Sequence, residues 1–347
     1  MRRHLNTIYV TSEDAWLRKD GENVVVEVDG VERGRAPLHM IGGIVCFGRP
    51  GASPALMAAC AEAGIALSFL APNGRFQARV EGPRTGNVLL RRQQYRMADA
   101  PERASSVVRG IVIAKAANQR IVLLRALRDH GESMGADARA ALETAVRQLD
   151  ATARQALSCD DIAILRGLEG DAARNYFGVF NHLIRHEDRE AFFFRGRSRR
   201  PPLDRVNALL SFLYAMLGHD CRSALESVGL DPQVGLMHVD RPGRASLALD
   251  LMEEMRPVLA DRLALSLINR RQIAAKDFLI EDSGAVMMKD DARKATLIAW
   301  QERKRDEIRH PFLGENVTLG LVMHIQAHLL ARHLRGDLDG YPAFIWK

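Results

Sequence analysis

Apolar residues change their spacing once along this 347-residue chain, near residue 83. Before that point they alternate with polar residues or come in short bursts, the signature of strands. Thr7–Val10 and Trp16–Lys19 are β-prone runs, and the turn dipeptide Asp20-Gly21 leads into Val24–Val28. A second turn at Asp29-Gly30 extends a ladder of hairpins. Ile41–Phe47 and Ile65–Leu70 are further apolar runs, separated by the Ala-rich stretch Pro54–Ala63, which predicts a single helix ended by Gly64. Asn73-Gly74 then turns the chain into Phe76–Val80. A small β-sandwich or sheet carrying one helix is expected.

Glu81–Gly86 has linker composition. Beyond it apolar residues recur at helical spacing over Val107–His130, Asp137–Ala156, Asp160–His186, Arg205–Ser227, Ser246–Arg270, Ala292–Arg309 and Val317–Leu334. The expected fold class is α+β, with a small β-rich domain over residues 1–83 and a larger all-α domain over 84–347. No repeat of constant period argues for a solenoid. The aromatic tail Tyr341–Lys347 reads as an extended strap or a partner contact.

Composition adds bounds. An apolar fraction of 47% suits a globular chain with sizeable cores. No apolar run approaches the roughly 20 residues that span a bilayer, and Met1–Leu5 lacks an apolar signal region. Cys46, Cys60, Cys159 and Cys221 lie far apart without CxxC spacing, which excludes a zinc ribbon and fits a reducing cytoplasm. Lys/Arg and Asp/Glu cancel over residues 1–83, so the whole net charge of +6 lies in the helical part. That excess suits a polyanionic partner.

The chemistry concentrates in Gly235–Pro257. His238 stands at the edge of a Pro/Gly loop, and Asp250 and Glu253 follow on a helix beginning near Ser246. An imidazole and two carboxylates at helical spacing are hard and borderline ligands for a divalent cation. For an isolated DxxE, a solvated acidic face opposite the stripe of Leu247, Ala248, Leu251, Met252 and Met255 is the plainer reading. Upstream, Glu169 lies between Gly167 and Gly170 on a helix, with Arg166 and Arg174 flanking it. Glycines cost a helix about 1 kcal/mol each relative to alanine. They imply a close approach there, of another helix or of a phosphate backbone.

Four strings occur in series: LEGDAARNYF (Leu168–Phe177), RPPLDRVNALLSFLYAML (Arg200–Leu217), GLDPQVGLMH (Gly229–His238) and SLALDLMEEMRP (Ser246–Pro257). With the KDF motif at Lys276–Phe278 they closely resemble the CRISPR-associated endonuclease/integrase family, the larger subunit of the spacer-acquisition complex. The resemblance covers nearly the whole chain, and its opening NTIYVTSEDAWL and closing YPAFIWK are most similar to the type I-C form. It implies a metal site of Glu169, His238 and Glu253, with Asp250 beside it in support. Which of Asp250 and Glu253 reaches the ion stays open at this point. The ion implied is Mg²⁺ or Mn²⁺, the histidine making Mn²⁺ more competitive. The chemistry implied is transesterification, in which 3′-OH ends of a short duplex attack phosphodiesters at the edges of a CRISPR repeat. Hydrolysis of branched or single-stranded DNA would use the same site with water.

DNA contacts are expected from the helical domain: Arg195, Arg197, Arg199 and Arg200 in the loop RGRSRR, Arg241 and Arg244 between His238 and Asp250, and Arg166 and Arg174 beside Glu169. The run Glu302–Arg309 alternates in sign and reads as a salt-bridged helix face. His182/His186 and His324/His328 have zinc-compatible spacing but lack the HExxH glutamate, and read as packing or surface residues. The resemblance further implies a homodimer through the N-terminal domains, two such dimers flanking a dimer of a small ferredoxin-like partner in a heterohexamer. The rival readings are a non-catalytic helical DNA-binding protein and an interaction scaffold without DNA contact.

Overall fold

A computed structural model describes residues 6–82, 87–187 and 189–346. Residues 83–86 of the expected linker, the segment Met1–Leu5 and the final Lys347 lie outside the described residues. The chain divides into two compact units, Met1–Thr85 with Met288–Asp306 and Thr318–Leu321, and Gly86–Met287 with Glu307–Val317 and Val322–Lys347.

The first unit is built around the N-terminal strands. Strand β1 (Thr7–Val10), β2 (Trp16–Asp20), β3 (Asn23–Val28), β4 (Val31–Pro37), β5 (Gly43–Phe47) and β6 (Gly51–Ala52) precede helix α1 (Pro54–Ala63), β7 (Ala66–Leu70) and β8 (Phe76–Arg79). Two four-stranded sheets form, ordered β1-β5-β7-β8 and β4-β3-β2-β6. The hairpin ladder β2-β3-β4 is antiparallel. At its second turn Asp29 and Gly30 both take positive φ, +54° and +73°, the backbone that a two-residue hairpin loop requires. Helix α1 starts where Ser53 accepts the Leu56 N–H and ends at Gly64 in the left-handed region. The buried set Leu17, Val24, Ile44, Cys46, Leu56, Cys60 and Leu67 is its core. Periodicity alone did not reveal that β1, β5 and β7 run parallel.

The second unit is helical: α2 (Val88–Ala98), α3 (Pro101–His130), α4 (Ala136–Leu157), α5 (Ile162–Gly178), α6 (Arg205–Ser227), α7 (Ser246–Met255) and α8 (Arg262–Asn269). Two short paired strands, β9 (Phe278–Ile280) and β10 (Val286–Met288), follow. Then come α9 (Asp290–Lys304), which belongs to the first unit, the pair β11 (Glu307–Arg309) and β12 (Asn316–Thr318), and α10 (Val322–Arg335). The fold class is therefore α+β, as expected. Long helix α3 is the hub, packing against α4, α5 and α7. Among the described residues no helix is long and apolar enough to cross a membrane.

Three differences from the sequence pattern have physical causes. Helix α9 groups with the first unit, burying Leu297 and Trp300 and donating from Gln301 Nε2 to the Thr7 carbonyl at 2.9 Å. A helical period marks an apolar face without saying which layer covers it. The helix expected over Ala292–Arg309 stops at Lys304, and Glu307–Arg309 pairs instead with Asn316–Thr318 across a turn closed by His310 N–H to the Glu315 carbonyl. Helix α2 lies outside the helices the pattern predicts, because the polar run RRQQ interrupts its apolar positions; it buries Leu90, Gln94 and Met97.

Candidate active site

Four elements of the second unit converge on one cluster. Helix α3 brings Lys115, α5 brings Glu169, the loop before α7 brings His238, and α7 brings Asp250 and Glu253. The loop is anchored at both ends. Asp231 at its start is gripped by α2, with Gln94 donating to the Asp231 and Val234 carbonyls at 2.7 and 2.9 Å and Tyr95 donating to the Asp231 carboxylate at 2.9 Å. Gly235 then folds the loop onto the start of α7. A Cβ there would stand 2.7 Å from both the His238 carbonyl and Ser246 Cβ, so only glycine fits.

The acidic face of α7 is not solvated. Asp250, Glu253 and Glu254 are all buried, so the plainer reading of the DxxE pair does not describe this helix. Each acid has a different task. Asp250 accepts from three backbone N–H groups, those of Leu236 at 2.7 Å, Met237 at 3.0 Å and His238 at 2.9 Å. Its Oδ1 also lies 2.6 Å from His238 Nδ1. A carboxylate can only accept, so Nδ1 carries a proton and donates it to Asp250, which leaves Nε2 as the ring nitrogen turned away from Asp250. Glu253 Oε1 lies 3.9 Å from that Nε2.

Glu253 is held between cations. Arg256 Nη1 is 2.7 Å from Oε1, and Lys115 Nζ is 2.6 Å from Oε2. Burial opposes the charge of Glu253, but Arg256, Lys115 and His238 outweigh it and hold the carboxyl down at about 2. Lys115 also pairs with Glu169 Oε1, so one ammonium joins carboxylates from α5 and α7. Exposure separates floor from rim: the side chains of Lys115 and Glu253 are 4% and 1% exposed, those of Glu169 and His238 23% and 19%. Glu254 faces the other way and accepts from Tyr341, Phe344 N–H and Gln326, at 2.6, 2.6 and 3.0 Å.

Immediately after Met255 the helix widens into a π turn, Arg256–Asp261, before regaining α geometry in α8. Pro257 brings no N–H to the start of this turn. Such widened turns recur at functional sites, and here it begins at the arginine that grips Glu253. Arg256 lies against the Tyr214 ring, 4.9 Å from its centroid, and Tyr214 donates to Asp261 at 2.6 Å.

The arginines divide. Arg197 is turned inward: it also lies 4.9 Å from the Tyr214 centroid and donates to Asn207 Oδ1 at 2.5 Å. Asn207 ties the same loop through the Gly196 carbonyl and the Ser198 N–H. Arg195, Arg199, Arg200 and Arg241 are exposed, and Arg244 is half-buried. Arg166 is spent in part on the Met237 carbonyl at 2.5 Å, and Arg174 pairs with Asp171 at 2.9 Å on the surface. The close helix crossing expected at Gly167 and Gly170 is not found; a Cβ at either would meet nothing within 4 Å. The glycines leave open space beside Glu169. His186 stacks on Phe192 at 4.9 Å and His324 lies 3.5 Å from Ser227 Oγ, consistent with packing roles. Lys115, Arg256 and Tyr214 were missed by the sequence reading. Basic residues inside apolar helices offered the only signal, since an unpaired ammonium is not buried.

The chemistry of the donor set fits a divalent cation. Glu253 Oε2 is fully buried and accepts no well-directed hydrogen bond, although the Lys115 ammonium is close by. Glu169 and Glu253 Oε2 meet at the Lys115 ammonium, and His238 Nε2 lies 3.9 Å from Oε1, the other oxygen of Glu253. Among the described residues, however, no three His, Cys, Asp or Glu side chains already stand at ligand geometry. The cation found between the two carboxylates is that of Lys115.

Residues 8–302 match the family model of the CRISPR associated protein Cas1. The chain is 61% identical over its full length to a CRISPR-associated endonuclease Cas1 of Rhodospirillum rubrum, which it also covers completely. Among solved structures, a Cas6-RT-Cas1–Cas2 complex superposes with TM-score 0.81 at 24% identity, over 100% of this chain and 36% of that one. A casposase bound to integration product superposes with TM-score 0.80 at 19% identity, over 97% of this chain and 93% of that one. At those identities the structures establish a shared fold.

Proposed function

The chain belongs to the Cas1 family of CRISPR-associated proteins, and from that premise we propose that it joins DNA by metal-dependent transesterification during spacer acquisition. A 3′-hydroxyl of a short duplex attacks a phosphodiester at the edge of a CRISPR repeat. A new phosphorus–oxygen bond forms as the old one breaks, and the displaced strand leaves with a 3′-hydroxyl. The observation that carries the reading is the meeting of Glu169 from α5 with Glu253 of α7, next to His238 of the loop leading into α7, whose ring is fixed by Asp250. Glu169, His238 and Glu253 would hold Mg²⁺ or Mn²⁺, and Asp250 acts through the histidine rather than on the ion. When bound, the ion supplies positive charge that stabilises the attacking and leaving oxygens. Endonuclease cleavage, the activity in the name of the Rhodospirillum rubrum relative, would be the same displacement with water as nucleophile.

This chain's own residues bind and orient. Exposed Arg195, Arg199, Arg200 and Arg241 supply phosphate contacts, with half-buried Arg244 in the same loop as Arg241. The open space at Gly167 and Gly170 admits a phosphate backbone next to Glu169. The likeness to a Cas1–Cas2 complex supports a small Cas2-type, ferredoxin-like partner. The proposed assembly is a heterohexamer of two homodimers around a partner dimer, in the cytoplasm of a type I-C system.

The test is joining of a labelled duplex into supercoiled plasmid with Mg²⁺, Mn²⁺ or EDTA, with and without the small partner. Joined product is expected only with metal, and Glu169→Ala and His238→Ala are expected to abolish it while the protein stays folded. Full joining in EDTA, or by either variant, overturns the reading.

A further inference from the structure

The two carboxylates proposed as ligands are not waiting as bare anions. The Lys115 ammonium lies on both, pairing with Glu169 Oε1 and standing 2.6 Å from Glu253 Oε2. Its side chain is 4% exposed, so solvent does little to weaken the interaction. Arg256 takes the other oxygen of Glu253, which leaves the Lys115 side of that carboxylate as the side shared with Glu169. Sequence proximity does not produce this contact, because α3, α5 and α7 are far apart along the chain. The stem of Lys115 emerges from a helix whose neighbouring positions, Ala114 and Ala116, are buried and small. An ammonium in such a place persists only when anions repay its loss of water.

We propose that Lys115 is a resident counter-cation of the site, neutralising Glu169 and Glu253 in the metal-free protein and competing with the divalent cation for the same two carboxylates. The proposal rests on the reading of Glu169 and Glu253 as metal ligands and adds a positioning residue to it. Two consequences follow from electrostatics. Without the ammonium, two like charges converge in a partly buried place and the empty protein is destabilised. With it, an entering cation must first displace an existing ion pair, so metal binding is weaker than the carboxylates alone would give.

The experiment uses the full chain stripped of metal, with Mn²⁺ as probe. Mn²⁺ binding is followed by calorimetry and by the paramagnetic resonance of the free ion, and melting is followed with and without Mn²⁺. Lys115→Met keeps the apolar stem and removes the charge, and Lys115→Arg keeps the charge. Lys115→Met is expected to melt below wild type in EDTA, to bind Mn²⁺ about tenfold more tightly or better, and to recover melting temperature when Mn²⁺ is added. Lys115→Arg should bind as wild type does. Loss of a merely structural contact would weaken Mn²⁺ binding, so unchanged or weaker binding by Lys115→Met overturns the proposal. Should Lys115→Met fail to fold, the double variant Lys115→Met/Glu169→Gln restores charge balance. It is expected to fold without metal and to have lost tight Mn²⁺ binding; a double variant that also fails to fold overturns the counter-cation role. Mn²⁺ binding by wild type that Glu169→Gln leaves untouched would instead sink the ligand assignment, while the stability comparison between single and double variants still reads the charge balance.

Discussion

Asp250 Oδ1 takes both the backbone N–H and the ring Nδ1 of His238, at 2.9 and 2.6 Å. One carboxylate thereby shapes the loop and selects the tautomer of the ring that the loop carries.

That double duty predicts graded losses at position 250. Asp250→Asn keeps the volume but can no longer accept from every donor, and joining activity and Mn²⁺ affinity should fall about 10- to 100-fold, as when an outer partner of a ligand is lost. Asp250→Ala leaves several buried N–H groups unpaired and should cost about 3 kcal/mol or more in urea unfolding. An Asp250→Ala protein as stable as wild type contradicts the role assigned to this side chain.

Glu169 and Glu253 share a cation but not an environment, and their substitutions should separate stability from activity. Glu253→Gln leaves Arg256 and Lys115 facing a neutral amide in a buried place and should lower stability by about 3 kcal/mol. Glu169 lies on the rim, so Glu169→Gln should melt close to wild type. Both should lose joining. Thermal unfolding beside the plasmid assay gives the comparison, and equal melting of the two variants contradicts the floor-and-rim arrangement.

The arginine loop should separate in the same manner. Alanine at Arg199 or Arg200 is expected to leave the melting temperature unchanged and to reduce the slope of log K against log salt by about one per phosphate contact removed. Arg197→Ala, which uncovers Tyr214 and frees Asn207, should destabilise the protein instead. Titration of a fluorescent duplex between low and moderate salt, with melting of each variant, reads both effects.

Asp261 predicts a pH dependence of stability. Burial pushes its carboxyl from 3.8 up to about 6, against the hydrogen bond from Tyr214 and the charges of Arg197 and Arg256. A folded-state value above the unfolded one means that the folded protein holds the proton more tightly. The associated stability is present below about pH 4 and is lost as pH rises through about 6, up to about 3 kcal/mol in all. Buried Glu254, pushed up to about 7, acts in the same sense at somewhat higher pH. Between pH 4 and 8 the urea midpoint of wild type should fall more steeply with rising pH than that of Asp261→Asn, which has no carboxyl to ionise there. An identical pH profile in the two proteins contradicts this account.

Much of this was legible in the sequence. The hairpin ladder followed from Asp20-Gly21 and Asp29-Gly30, and α1 from Ser53, Pro54 and Gly64, because turn and cap chemistry is local. The acids Glu169 and Glu253 and the imidazole of His238 were visible as residue types at suggestive spacing. What stayed hidden depended on partners remote in sequence. Nothing near Asp250 says that it closes a loop of backbone N–H groups, nothing near Lys115 says that it meets Glu169 and Glu253, and nothing in RGRSRR says that Arg197 turns inward onto Tyr214. The placement of α9 was hidden for the same reason, since its partner strand lies at the opposite end of the chain.

The residues after α10 also brace this site from behind. Asn118, three positions beyond Lys115 on α3, donates to the carbonyls of Glu254 and Phe344 and accepts from Trp346 N–H. Phe344 N–H in turn reaches the Glu254 carboxylate, next to Glu253. A ribosome releases α3 first, α7 much later and residues 341–346 after both. The two helices that carry the charged cluster are thus pinned together by a segment made later than either, which ties completion of that cluster to the order of synthesis and leaves a nascent chain without its braced Glu253.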